Sequence, residues 1–192
     1  MNNVNILLCG VGGQGTILAS NLLAKCAMEA GFDVKKSEIH GMAQRGGSVV
    51  SHVKFGDKIY SPIIRKGECD ILLSFEELEA LRYAEYLKPN GMVITNSQHI
   101  LPMSVTAGNA EYPENIQEIL AKNGIQTIAI DAIGKAKEIG NQKCLNVILL
   151  GLIAKQLKMI DKALWEKVIE KSLPEKIRDI NLKAFQKGWS SF

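Results

Sequence analysis

The sequence predicts a doubly wound α/β domain with a mostly parallel sheet, and three observations carry the prediction. Short, continuously apolar strand segments alternate with helical ones, the pattern of a parallel sheet covered on both faces. The first strand hands over to the first helix through a glycine-rich turn, Gly10-Val11-Gly12-Gly13-Gln14-Gly15. Residues 46–64, in which side chains alternate between two faces and then meet a turn signal, interrupt the series and read as a β-hairpin insertion. A chain of 192 residues, 46% of them hydrophobic, is sized for one domain, residues 1–192, whose core needs neither disulfides nor metals.

Residues 4–9 form the first apolar strand, and residues 16–30 the helix after it, with Gly31 as its stop. Residues 33–39 form a second strand and complete a βαβ start. In the insertion, Val49, Ser51, Val53 and Phe55 share one face and Val50, His52 and Lys54 the other. The chain then turns at Gly56-Asp57 and resumes as a return strand at residues 58–60, before Pro62. Residues 70–74 and 91–95 are buried strands on either side of a helix at 76–87. A helix at 113–122, a strand at 126–130 and a helix at 131–139 follow. Three helices, 144–157, 162–173 and 174–187, close the chain, the last opening on Pro174 at the tolerated first-turn position. The first of these three is almost wholly apolar, and Gly151 in its interior costs about 1 kcal/mol relative to alanine, so a close helix contact is expected there.

Alternating strands and helices make the architecture Rossmann-like; the glycine turn also matches G-x-G-x-x-G, and two roles fit the loop equally. Glycines with φ > 0 can turn their N–H groups inward at the positive end of a helix, which makes an anion cradle. The same residues can do no more than let a helix pack closely on a sheet. Glu38, at the end of the second strand, stands where a dinucleotide-binding domain holds a ribose hydroxyl, so a self-sufficient NAD(P)- or flavin-binding enzyme is one reading. The insertion directly after it does not belong to a minimal mononucleotide unit.

The loop that follows, residues 37–48, should face the same crevice, since both lie at the carboxyl edge of the sheet. It carries Glu38, His40, Gln44 and Arg45, with Gly46 allowing close backbone approach, so ligand or partner binding is expected of it. Arg45 suits a carboxylate or phosphate, and His40 is the acid-base candidate. A polar loop that merely starts the hairpin is the plainer alternative. His40, His52 and His99 are dispersed, so no metal site is expected, and no nucleophile elbow or Walker sequence occurs.

A net charge of +3 gives no support for nucleic-acid binding. Residues 35–66 hold seven basic side chains against two acids, a local excess suited to an anionic ligand or an acidic surface, or simply a solvated face. Cys9, Cys26, Cys69 and Cys144 form no C-x-x-C pair, bind no cluster by themselves and fit a reducing cytoplasm. The start lacks the basic region of a secretion signal, and residues 147–154, the longest apolar run, cannot span a bilayer, so no membrane partner is expected.

GVGGQG at 10–15, SEIHGMAQRGGSVVSHVKFGDKIYSPII at 37–64 and NVILLG at 146–151 together resemble the gamma-type subunit of the 2-oxoacid:ferredoxin oxidoreductases. The segment from His40 to Gly47 resembles the indolepyruvate (arylpyruvate) branch. The resemblance implies oxidative decarboxylation of a 2-oxoacid with coenzyme A, yielding acyl-CoA, carbon dioxide and reduced ferredoxin. The chain lacks the GDG…N signature of a thiamine diphosphate and Mg²⁺ site and lacks cluster-binding cysteines. The resemblance therefore places thiamine diphosphate, Mg²⁺ and iron–sulfur clusters on a larger partner subunit, with CoA as co-substrate and ferredoxin as acceptor of the complex. The present chain would add a wall of the active-site or CoA region and a contact surface, or serve purely as an assembly module.

Overall fold

A computed structural model describes residues 3–40 and 47–191, with the backbone alone for His40. The strands are β1 (Val4–Val11), β2 (Asp33–His40), β3 (Ser48–Gly56), β4 (Cys69–Ser74), β5 (Leu87–Asn96) and β6 (Gln126–Ile130). Their order in the single sheet is β2-β3-β1-β4-β5-β6. All run parallel except β3, which is antiparallel to both of its neighbours. The helices are α1 (Thr16–Glu29), α2 (Glu77–Tyr83), α3 (Met103–Thr106), α4 (Ile116–Lys122), α5 (Ala132–Glu138), α6 (Leu145–Gln156), α7 (Lys162–Ser172) and α8 (Glu175–Trp189).

The predicted fold class holds, with one correction inside the insertion. Residues 58–60 form no strand; the β-hairpin is β2–β3, and β3 is inserted between β2 and β1. The physical reason is that both edges of β3 are occupied, leaving no donor or acceptor row for a return strand. Residues 57–66 instead lie over β3 as irregular chain, burying Ile59 and Ile64. Their backbone amides are taken up by side chains: Ile59 N donates to Asp33 Oδ2 (2.8 Å) and Ile64 N to His52 Nδ1 (3.2 Å). The helix expected over 76–87 also stops early, at Tyr83, and a 3₁₀ turn at Ala84–Tyr86 leads into the long strand β5.

Period-two alternation divides the core. Ile6, Leu8, Val53, Phe55, Ile71 and Leu73 project to the face covered by α1, α6 and the helices behind them, which includes Trp165 and Phe185. Leu7, Cys9, Val50 and Leu72 project to the other face, closed by α2 and α4 through Ala80, Ile116 and Leu120. Helix α6 is buried along nearly its whole length because the sheet, α5 and α8 surround it. Where α6 crosses α8, a β-carbon on Gly151 would lie 2.3 Å from Phe185 O, and one on Gly188 would lie 1.9 Å from Ile148 O. The close helix contact expected at Gly151 is therefore present, and its counterpart is Gly188. No described helix is long and apolar enough to cross a membrane.

Candidate functional site at the carboxyl edge of the sheet

The connections from β1 run to one side of the sheet and those from β4 to the other, so the topological switch point lies between their carboxyl ends. The glycine loop forms one wall of that point. Gly10 belongs to β1, paired with Val49, and is glycine because a β-carbon would meet Gln14 Oε1 and Phe75 Cβ, each at 2.8 Å. Gly13 (φ 103°) and Gly15 (φ 83°) adopt the left-handed backbone that only glycine takes without strain. Among the described residues nothing lies within 4 Å of a β-carbon on Gly13, whereas a side chain on Gly15 would strike Asn146, whose Nδ2 donates to Gly15 O (3.3 Å).

Gln14 is buried and acts as a clamp. Its Oε1 accepts from Val11 N (2.8 Å), and its Nε2 donates to Phe75 O (2.8 Å) and Gln98 Oε1 (3.0 Å). The loop is thus fastened to the chain after β4 and after β5, and Gly12 N reaches Gly47 O (2.9 Å) at the start of β3. A cavity of about 260 Å³ lies against Gly12, Gly13, Thr16 and Ile17. Beneath the loop, the hydroxyl of Thr16 is buried without a hydrogen-bond partner among the described residues.

The second wall comes from the start of α2, where three acids enter the protein side by side. Glu76 caps the helix, accepting from Glu79 N (2.9 Å) with one oxygen and from Ile100 N (3.1 Å) and the Tyr112 hydroxyl with the other. Glu79 accepts from the Ser48 hydroxyl and pairs with Arg82 Nε (3.1 Å), while Ser48 also meets the Tyr83 hydroxyl (3.2 Å). Burial raises the Glu79 pKa from its ordinary value, against the lowering effects of the Ser48 hydrogen bond and the Arg82 charge. Burial raises Tyr83 too. Between these groups and Val11, Pro102 and Met103 lies a cavity of about 300 Å³. Cys9, below it, donates to Ser74 Oγ (3.3 Å); burial pushes its thiol up, which keeps it protonated and unreactive.

The family model of the pyruvate ferredoxin/flavodoxin oxidoreductases matches residues 5–191, both walls included. The chain belongs to that family. The indolepyruvate oxidoreductase subunit IorB of Pyrococcus horikoshii is 43% identical, over 98% of this chain and 95% of its own length. The IorB of Archaeoglobus fulgidus is 42% identical, over 97% and 94%. The gamma subunit of a keto/oxoacid ferredoxin oxidoreductase from Geobacter sulfurreducens superposes with a TM-score of 0.72 at 28% identity, covering 97% of this chain and 96% of that one.

Within this oxidoreductase domain the structure redistributes the residues that the sequence singled out. Gly10, Gly12, Gly13, Gln14 and Gly15 come together, but Gln14 serves the loop's own architecture. Glu38 does not join them: it pairs with Lys36, which also holds Ser20 and Asn21 of α1. Because β3 intervenes, β2 lies two strand spacings from β1, about 10 Å rather than the ~5 Å of a plain βαβ unit. That places Glu38 beyond the position from which a carboxylate would hold the ribose of a dinucleotide on the glycine loop. His40 ends β2 opposite Val49, while Gln44, Arg45 and Gly46 lie outside the described residues.

The basic excess of residues 35–66 is largely offset by acids. Lys35 pairs with Asp33 (2.8 Å), Lys36 with Glu38, Lys54 with Glu68 (4.0 Å) and Lys66 with Glu85 (2.8 Å). Among the described residues no three metal-ligating side chains converge, and the four cysteines are buried separately. Sequence reasoning missed Ser48, Glu76, Glu79, Arg82 and Tyr83 as a group. The available signal was Glu76-Glu77-Leu78-Glu79 directly after a buried strand, where a helix surface would ordinarily put its acids in solvent.

Proposed function

We propose that this chain is the small subunit of an indolepyruvate (arylpyruvate) ferredoxin oxidoreductase working in the cytoplasm. One observation carries the substrate class. Relatives named as IorB are 35–43% identical, whereas those named for pyruvate/ketoisovalerate or 2-oxoglutarate are 25–29% identical over a similar length. In this reading a larger partner holds thiamine diphosphate, Mg²⁺ and the iron–sulfur clusters. Thiamine diphosphate would supply the carbanion chemistry of decarboxylation, coenzyme A would take the acyl group, and the two electrons would leave in two one-electron reductions of ferredoxin. The scattered, buried cysteines of this chain suit a cluster-free subunit.

The chain's own contribution lies at the carboxyl edge. The two walls at the switch point give a polar, partly enclosed surface where a partner's reaction centre can be covered and water excluded. Arg45 and Gln44, in the connection from β2 to β3, supply charged and amide contacts to an anion such as a CoA phosphate or to the partner backbone. Co-expression with a large thiamine-dependent subunit tests the reading. The complex should reduce a viologen dye with indolepyruvate only when CoA is present, and the isolated chain should not. In the complex, Arg45→Ala should lose about 2–5 kcal/mol of CoA or partner binding with little change in the melting temperature of the free chain. Turnover by the purified chain alone, or low-micromolar NAD(H) binding by calorimetry, would overturn the assignment.

A further inference from the structure

A cavity of about 420 Å³ opens between the chain after β5 and the start of α4, lined by residues other than those of the glycine loop. At its base is Glu77, a carboxylate only 5% exposed with both oxygens engaged. Oε2 meets His99 Nε2 at 2.8 Å, and Oε1 accepts from Gln117 Nε2 at 2.6 Å. The His99 ring packs against Tyr112, centroids 5.1 Å apart, and Tyr112 is itself tied to Glu76 through its hydroxyl. The imidazole is therefore oriented at its edge by a buried carboxylate and on its face by an aromatic ring. The carboxylate requires the proton on Nε2, so the neutral ring offers Nδ1 as an acceptor. Among the described residues Nδ1 has no partner, and 58% of the side chain is open to solvent.

The lining fixes what such a ring could receive. Glu77 and Glu118 are present and no lysine or arginine is, which disfavours phosphates and carboxylates. Ser97 and Asn115 add hydroxyl and amide groups, and Pro113 with Ile116 adds an apolar strip. Asn115, at the start of α4, holds the left-handed backbone (φ 56°) that asparagine adopts more readily than other side chains. The cavity is of small-molecule size. One oriented imidazole acceptor, with the hydroxyl and amide groups of Ser97 and Asn115 beside an apolar wall, matches a flat, uncharged ring system bearing hydroxyl donors.

We propose that this cavity is a binding site for an uncharged nucleoside moiety. A ribose hydroxyl donates to His99 Nδ1, and the base lies along Pro113 and Ile116. The site is independent of which 2-oxoacid the complex oxidises. The test is a titration of the full chain with adenosine, followed by the imidazole ¹⁵N signals of His99. The expected result is a saturable shift of Nδ1 with Nε2 little changed, and affinity weakened about tenfold or more by His99→Phe, which keeps the ring packing and removes the acceptor. Because His99→Phe also strips Glu77 Oε2 of its partner, the melting temperature of that variant should fall, and affinities are compared at a temperature where both chains are folded. Absence of a saturable shift up to the solubility of adenosine would overturn the proposal. So would an equal effect from adenine alone, or adenosine affinity that His99→Phe leaves intact.

Discussion

Two regions of the molecule depend on glycine for opposite reasons. At the crossing of α6 and α8, Gly151 and Gly188 are in helical backbone that any residue could adopt. Glycine is needed because carbonyl oxygens of the facing helix occupy the space of a side chain. In the loop at the end of β1, no described residue crowds Gly13, and glycine is needed because of its positive φ. The seam buries backbone against backbone and fixes the helical layer. The loop leaves its backbone accessible and lets buried side chains, Gln14 above all, hold it in place. A motif of glycines therefore does not by itself announce a ligand; which physical constraint each glycine meets decides whether a surface stays open.

The largest effect should break the seam. Gly188→Ala places a methyl group inside the van der Waals surface of Ile148 O, and about 3 kcal/mol of destabilisation is expected by chemical denaturation. Gly151→Ala should act in the same direction, and because both sites share one contact, the double variant should be non-additive. An unchanged denaturation midpoint for both would mean that the helices do not cross so closely.

The next largest should come from the clamp. Gln14→Leu keeps the bulk but strips the partner from Val11 N, a buried donor, and removes the tie to Phe75 O. About 2 kcal/mol is expected, with hydrogen exchange rising across residues 11–15 and 75–79 but not in α6 or α8. Gly13→Ala should cost about 1 kcal/mol through backbone strain alone. If it also weakens assembly with a partner subunit, the open loop is a contact surface; a cost equal to that of Gly188→Ala would erase the distinction between the two regions.

The smallest effect concerns His52, on strand β3 beneath residues 57–66. Burial, with help from Lys54, lowers its pKa below the ordinary 6.5. The unfolded chain thus takes up this proton before the folded one does. The stability contribution of neutral His52 is complete above about pH 6.5 and is lost as pH falls through the lowered folded value. The melting temperature should fall on acidification through that window, and His52→Gln should flatten the slope. A pH profile that the substitution leaves unaltered would remove His52 as its source.

Much of this was legible in the chain. Local pattern located the strand cores, the first helix, the glycine turn and the buried α6, because apolar periodicity reports burial directly. The two faces of β3 were also readable, since alternation survives whatever the strand pairs with. Its partners were not. Residues 58–60 have strand composition, yet pairing is a property of a free edge, and β3 has none. Likewise Glu38 sits at the right distance along the sequence for a ribose contact, but the interposed strand moves it one spacing too far across the sheet.

The sequence by itself determined that this is an α/β domain with a glycine loop at a strand–helix junction, an apolar helix requiring a close neighbour, and motifs of one oxidoreductase family. These follow from local chemistry: glycine's freedom, side-chain period and hydrophobic burial. Only the tertiary structure decided that Gln14 is a clamp, that Gly188 is the partner of Gly151, that the lysines of residues 35–66 are largely paired, and that Glu76, Glu77 and Glu79 are buried groups holding Tyr112, His99 and Ser48. Each depends on residues distant in the chain meeting in space, and burial of a polar group becomes visible only when its partner is in place.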